Sequence, residues 1–309
     1  MISVLMSVYN EKEEWISEAI ESILSQTYRK YEFLIVVDNP NLSPDCKKML
    51  LKKADLDSRI KLLWNEKNIG LARSLNRAFS YAQGEYIARM DADDISLPER
   101  FEKEISFIES NEFDIVSANK INIDENGKTL IKDPKIDRDP NKMLVYSNIL
   151  VHPLVMTKRD VFSKLGGYRI LSNSEDYDLW LRALDSGYRI GILDEYLLKY
   201  RIRENSASVS RQLQQYYCNK YIVKLHKQRI KSHQDSYSLT GEQHYLKSRC
   251  VDSKIKRKQF RKSYSLLEKA LRCSNESKNK SLLYIIAAFI YFPPLVCQKI
   301  YNYYKSHQS

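Results

Sequence analysis

The chain has 309 residues, 43% hydrophobic and 29% charged. That balance belongs to a globular protein rather than a disordered one, and the length allows one large α/β domain with an appendage or two small domains. Eight glycines and eight prolines exclude collagen-like and low-complexity chains. The net charge of +11 is uneven: Ser206 to Ser309 holds 20 Lys/Arg against 5 Asp/Glu, a net of +15, and the rest holds 30 against 34, a net of −4. A basic tail implies an anionic partner: nucleic acid, a membrane surface or a phosphate-bearing lipid.

In chain order, Ile2 to Val8 is a short apolar run, predicted as a central strand. It is too short for a signal peptide and lacks a basic leader. Trp15, Ile16, Ala19, Ile20, Ile23 and Leu24 recur at helical spacing, with Asn10 as the expected upstream cap. Phe33 to Val37 reads as a second strand, 44–54 as a helix and Ile60 to Trp64 as a third strand. Leu71, Leu75, Ala78, Phe79 and Ala82 mark a helix, and Tyr86 to Met90 a fourth strand. A helix to about Ser110 and a strand Phe113 to Ser117 follow. Asp124-Glu125-Asn126-Gly127 is a hairpin turn signal between two short strands. Residues Ser174 to Ser186 read as an amphipathic helix capped by Ser174, and Leu193 to Ile202 as extended chain. This alternation predicts a mostly parallel sheet covered by helices on both faces. Ligands of such sheets sit beyond the carboxyl ends of the strands. Tyr9-Asn10-Glu11, Asp38-Asn39, Asn65 and Asp91-Ala92-Asp93-Asp94 should therefore converge on one crevice.

Asp91-Ala92-Asp93-Asp94 carries the sharpest chemistry. Three carboxylates in four residues repel one another, and a hard divalent cation relieves that repulsion. A solvated acidic turn is the bland alternative. Glu175-Asp176 at a helix start is either an ordinary partner of the helix dipole or a carboxylate placed to take a proton from an attacking hydroxyl. Cys46, Cys218, Cys250, Cys273 and Cys297 are scattered, odd in number and free of CxxC spacing. That is neither a disulfide scaffold nor a zinc site, and it suits a reducing compartment.

Five stretches in order then resemble glycosyltransferase family 2, with its nucleotide-binding GT-A fold, over about residues 1 to 210. They are Ser7-Val8-Tyr9-Asn10; Asn68-Ile69-Gly70-Leu71-Ala72 with Asn76; Ala88-Arg89-Met90-Asp91-Ala92-Asp93-Asp94; Gly166-Gly167-Tyr168 followed by Glu175-Asp176-Tyr177-Asp178-Leu179-Trp180; and His152-Pro153 with Val155-Met156. The last resembles bacterial polysaccharide-assembly members. The resemblance implies that Tyr9, Glu11 and Asn68 line the nucleotide pocket, that Asp38 contacts base or ribose, and that Asp91 holds the ribose side of the donor. It implies that Asp93 coordinates Mn²⁺ or Mg²⁺ bridging the two phosphates, and that Asp176 is the catalytic base, supported by Glu175. The implied reaction is inverting transfer of a hexose from a nucleotide diphosphate sugar, UDP-linked, onto a saccharide. The acceptor would be polyprenyl-diphosphate-linked, in O-antigen or capsule synthesis, at the cytoplasmic face of the plasma membrane. Two positions depart from the family pattern. Asp38-Asn39-Pro40-Asn41 stands where Asp-Asp-Gly-Ser is usual, and Tyr200-Arg201-Ile202-Arg203 stands for Tyr-Arg-x-His. Arg201 either contacts the diphosphate or forms a surface ion pair. A sugar nucleotidyltransferase would show a glycine-rich loop at the first strand, and Tyr9-Asn10-Glu11-Lys12 has none. A non-catalytic sugar-nucleotide-binding protein is the other alternative.

The remaining 211–309 read as a helical basic extension. Lys254, Lys256, Arg257, Lys258, Arg261 and Lys262 form a cationic patch. The 282–304 segment is apolar and aromatic, broken by Pro293-Pro294, too short to span a bilayer and suited to a membrane interface. Packing of its aromatics on the catalytic domain is the alternative. With no recognisable nucleic-acid motif, nucleic acid is not the expected partner.

Overall fold

The computed structural model describes residues 1–136, 139–203, 211–273 and 277–308. Contacts divide the chain into two compact units. The first is Met1–Asn141, Asn148–Ile170 and Glu175–Glu204; the second is Lys142–Ser147, Leu171–Ser174 and Asn205–Ser309.

The first unit is built on one sheet. Strands β1 (Ile2–Val8), β2 (Tyr31–Val37), β3 (Ile60–Trp64) and β4 (Tyr86–Asp91) are all parallel in the order β3-β2-β1-β4. Helices α1 (Glu13–Leu24), α2 (Pro44–Leu56) and α3 (Leu71–Tyr81) make the crossovers. The register pairs Val8 with Val37, Val37 with Trp64 and Ser7 with Asp91, so the four carboxyl ends finish level. Burial explains the apolar runs. Ile2, Val4, Met6 and Val8 pack with α1, α2 and α4 (Arg100–Asn111) in one cluster. The alternate residues Leu5, Leu34 and Val36 are also buried, on the face where α3 crosses β1 and β2.

Beyond β4 the sheet becomes mixed. Its order continues β8 (Met156–Lys158), β6 (Ile115–Ile123), β9 (Ile190–Arg201), β5 (Ile95–Ser96), with β7 (Thr129–Lys132) hairpinned onto β6. β8 runs antiparallel to both β4 and β6, β6 is parallel to β9, and β5 is antiparallel to β9. The expected hairpin at Asp124–Gly127 is present, although β6 is nine residues long rather than short. The one-turn helix α5 (Pro140–Met143), a 3₁₀ turn (His152–Leu154), α6 (Arg159–Lys164) and α7 (Glu175–Asp185) complete the elements before the tail.

Two expected caps are corrected. Helix α1 is preceded by Lys12, with no side-chain cap, and starts only at Glu13, so Asn10 lies too far upstream to reach its first amides. Ser174 sits at φ +62° with its hydroxyl buried and unbonded among the described residues, so it does not cap by side chain.

The second unit is helical: α8 (Gln212–Ser232), α9 (Leu239–Ser248), α10 (Lys254–Cys273), α11 (Lys278–Tyr291) and α12 (Pro293–Gln308). Leu213, Tyr216, Tyr217, Leu246, Val251, Phe260, Phe292 and Leu295 form its core. The apolar 282–304 stretch is split at Phe292 between α11 and α12. It buries Ala288, Phe292, Leu295 and Val296 while Leu282, Leu283, Ile286, Phe289 and Ile290 stay exposed. No helix among the described residues is long and apolar enough to cross a membrane.

Candidate active site

The acidic turn begins on the last residue of β4 and runs straight into β5, which pairs Ile95 and Ser96 with Lys199 and Leu198 of β9. The turn is thus fastened at both ends to the sheet. Oxygens of Asp91, Asp93 and Asp94 lie within 4.8 Å of one another. Asp91 is partly open, whereas Asp93 and Asp94 are buried. Burial, then the Asp91 charge, pushes the Asp93 carboxyl up to about 7, against the opposing pull of Arg203. Asp94 is likewise raised well above the ordinary carboxylate range, by burial and then by Asp93 and Asp91. Asp94 Oδ1 accepts the Arg201 amide at 2.8 Å, while its buried Oδ2 has no hydrogen-bond partner among the described residues. Crowded, desolvated carboxylates with an orphaned oxygen are a donor set that fits a divalent cation, whose charge would reverse those shifts.

Two cations border the turn. Arg89, buried in β4, donates to Asp91. Arg203 lies 2.7 Å from Asp93 Oδ2 and 5.6 Å from the Trp15 ring. Arg201 does something else. Its Nε donates to the Asp93 carbonyl at 2.8 Å, Nη1 to the carbonyls of Asp124 and Glu125 at 3.2 and 3.0 Å, and Nη2 to Glu18 at 2.6 Å. It is only 3% exposed. Of the two alternatives for Arg201, the ion pair is the one formed here: the guanidinium is buried and shared between three backbone carbonyls and the half-exposed Glu18 carboxylate.

Glu175 and Asp176 open α7 and are partly buried. Burial, then Asp176, pushes Glu175 up to about 7. Burial also raises Asp176, against a 2.8 Å hydrogen bond from Asn148 Nδ2 to Asp176 Oδ2. The Asp91 charge contributes to raising both, so the pair and the acidic turn share one electrostatic neighbourhood. The preceding Gly166-Gly167-Tyr168 turn is fixed by Asn76, which donates to the Tyr168 carbonyl at 2.8 Å and accepts its amide at 2.9 Å. His152 Nε2 meets the Tyr168 hydroxyl at 2.8 Å, and burial holds the imidazole neutral. Its ring packs edge-on against Trp180.

At the β1 and β2 ends, Tyr9 is half exposed and its amide donates to Glu11 at 2.8 Å. Asn39 Nδ2 donates to the Tyr9 carbonyl at 2.7 Å. Asn68 is exposed and accepts the Gly70 amide. Asp38 is engaged on two sides. It is 2% exposed, and its oxygens accept Asn65 Nδ2 at 2.7 Å and the Ile69 and Gly70 amides at 2.8 Å. Those contacts fasten the loop before α3 to the end of β2. Sequence reasoning missed Asn148, Glu18 and the Arg203–Asp93 pair, because no local pattern joins residues so far apart in the chain.

Comparison with known proteins agrees with this geometry. The family model for Glycosyl transferase family 2 matches residues 3–166. An uncharacterized glycosyltransferase of Methanocaldococcus jannaschii is 37% identical over 231 residues, 73% of this chain and 79% of the relative. The O-antigen biosynthesis glycosyltransferase WbnJ of Escherichia coli is 39% identical over 229 residues, 72% of this chain and 88% of the relative. Among solved structures, TarS of S. aureus in complex with UDP-GlcNAc aligns at TM-score 0.60 and 19% identity, covering 79% of this chain and 70% of that one. The mannosyltransferase PcManGT of Pyrobaculum calidifontis, in complex with GDP-Man and Mn²⁺, aligns at 0.58 and 16%, covering 99% and 86%. The structural likeness establishes the GT-A fold, and with the sequence matches it makes the assignment: the chain is a glycosyltransferase and belongs to glycosyl transferase family 2.

Proposed function

We propose that this glycosyltransferase is an inverting, metal-dependent enzyme of surface polysaccharide synthesis, moving a hexose from a UDP-linked donor to a polyprenyl-diphosphate-linked saccharide. The observation that carries the reading is the set of Asp91, Asp93 and Asp94 oxygens within 4.8 Å, electrostatically coupled to Glu175 and Asp176. The O-antigen relative supports the pathway class, and the UDP-GlcNAc, GDP-Man and Mn²⁺ complexes of the structural neighbours support the donor class and the ion.

In this reading residues 1–210 are the catalytic domain. Tyr9, Glu11 and Asn68 line the nucleotide, and Asp38 holds the 68–70 loop in place beneath it. Asp91 receives the ribose side of the donor. Asp93 holds Mn²⁺ or Mg²⁺, which when bound neutralises charge on the diphosphate leaving group. Asp176 takes the proton of the acceptor hydroxyl as that oxygen attacks the anomeric carbon from the face opposite the phosphate. The bond from the anomeric carbon to the phosphate oxygen breaks, and the nucleoside diphosphate leaves with the electron pair. Asn148 orients the base by its hydrogen bond to one carboxylate oxygen. Glu175, raised to about 7 by burial and by Asp176, carries only part of a negative charge beside the base at neutral pH. The basic 211–309 region, with its aromatic 282–304 segment, serves contact with the inner face of the plasma membrane.

Nucleotide release in the presence of acceptor, with and without Mn²⁺, tests this. Transfer should fail in both Asp93→Ala and Asp176→Asn, with donor binding kept in Asp176→Asn and weakened in Asp93→Ala. Wild-type turnover in both variants would end the assignment.

A further inference from the structure

The second unit holds a cationic cavity lined by none of the residues placed at the candidate active site. It measures about 130 Å³ and is lined by Arg211, Gln212, Leu213, Gln214, Arg257 and Arg261. That is well above the roughly 10–15 Å³ one water requires. It is below the roughly 300 Å³ at which pockets for whole small molecules begin. The space suits a headgroup, not a nucleotide.

The cavity is built rather than incidental. Arg257 and Arg261 stand one turn apart on α10, and Phe260 between them is buried, its ring tilted against Tyr216 of α8 at a centroid distance of 5.3 Å. Leu213 is buried in the same core. The packing that joins α8 to α10 therefore sets all three guanidinium-bearing positions around one hollow. Arg257 is oriented by two bonds, Nε to the Val251 carbonyl at 2.8 Å and Nη2 to Asp252 at 2.8 Å. The lining residues include no carboxylate, and Asp252 beside them pairs with Arg257. Helix α8 also opens here without a side-chain cap and without an acidic residue in its first turn. Its positive end adds to the basic lining instead of offsetting it. Lys254, Lys256, Lys258 and Lys262 on α10 raise the local potential further. Guanidinium groups match the oxygens of phosphate, for which bidentate pairing is strong.

We propose that this cavity binds a phosphate or diphosphate group. Inorganic phosphate species and a phosphorylated lipid headgroup share that chemistry. The proposal stands independently of the catalytic assignment.

Calorimetric titration of the full chain with inorganic pyrophosphate in EDTA tests it, because without metal the acidic turn repels anions. Wild type and an Asp93→Asn control should bind alike. Affinity should fall at least tenfold in Arg257→Gln/Arg261→Gln. It should fall similarly in Arg211→Gln, an exposed position whose change leaves the core intact. Flotation with phosphatidylcholine vesicles, with and without phosphatidic acid, separates the sources. Loss of vesicle binding by the same variants identifies a lipid headgroup, and unchanged vesicle binding with lost pyrophosphate binding identifies a soluble phosphate. No pyrophosphate binding by wild type, or unchanged affinity in the arginine variants, would overturn the proposal.

Discussion

Arg203 and a divalent cation want the same carboxylate. The guanidinium sits 2.7 Å from Asp93 Oδ2 and lowers the proton affinity of that group, doing in part what the ion would do. Removing it should therefore strengthen metal binding. Arg203→Ala is expected to bind Mn²⁺ roughly fivefold more tightly, the scale of a partly exposed ion pair, in a titration without donor; weaker binding would contradict this. The same electrostatics sets a pH dependence. Burial raises Asp93, Glu175 and Glu104 to about 7, and each is therefore more protonated in the folded chain than in the unfolded one. Their stabilising contribution is complete below the ordinary carboxylate range and is lost as pH rises through about 7. In EDTA, Tm should fall between pH 5.5 and pH 8, and Mn²⁺ should recover part of the loss at pH 8 by binding the ionised turn. An equal Tm at both pH values would refute it. At this scale the sequence displays what is contiguous: the acidic turn and Glu175-Asp176 are readable because their charges are neighbours in the chain. It hides Arg201 and Asp38, whose partners come from positions such as Glu18, Asp124 and Asn65 that only folding brings near.

Among the elements, the turn before α7 depends on glycine for two physical reasons. Gly167 has φ +70°, and a Cβ there would lie 2.6 Å from Asn76 Oδ1, the atom that accepts the Tyr168 amide. Gly167→Ala should cost about 1–3 kcal/mol in denaturant unfolding, and should lower kcat by displacing the start of α7; a neutral effect on both would show the latch to be dispensable. Helix α4 carries a fully buried pair, Arg100 Nε to Glu104 at 3.0 Å, with Arg100 Nη2 also donating to the Arg89 carbonyl of β4 at 2.9 Å. Breaking it by Glu104→Ala leaves a buried cation, and about 3–5 kcal/mol should be lost; a loss under 1 kcal/mol would mean the cation is not desolvated as described. Strands β1 to β4 were legible because each is an apolar run ending in polar residues. β5 was not, since two residues show no period. The antiparallel insertion of β8 between β4 and β6 was hidden too, because pairing partners are chosen by tertiary contacts rather than by local pattern.

At the scale of the whole molecule, the charge asymmetry visible in composition separates two chemistries. The acidic half ends in a carboxylate turn at the level carboxyl edge of a parallel sheet. The basic half folds into helices that gather arginines around a small cavity and leave one face of α11 apolar and exposed. Composition alone could announce both signs of charge, but not the cavity, which exists only because Phe260 and Leu213 pack together. The central claim is that the acidic turn holds a divalent ion against a donor diphosphate. Anomalous diffraction at the manganese edge, from crystals soaked with Mn²⁺ and UDP, tests it most directly. One peak is expected, within about 2.5 Å of an Asp93 carboxylate oxygen and touching the diphosphate; an ordered UDP with no manganese at Asp93, or a peak bound elsewhere, would contradict it.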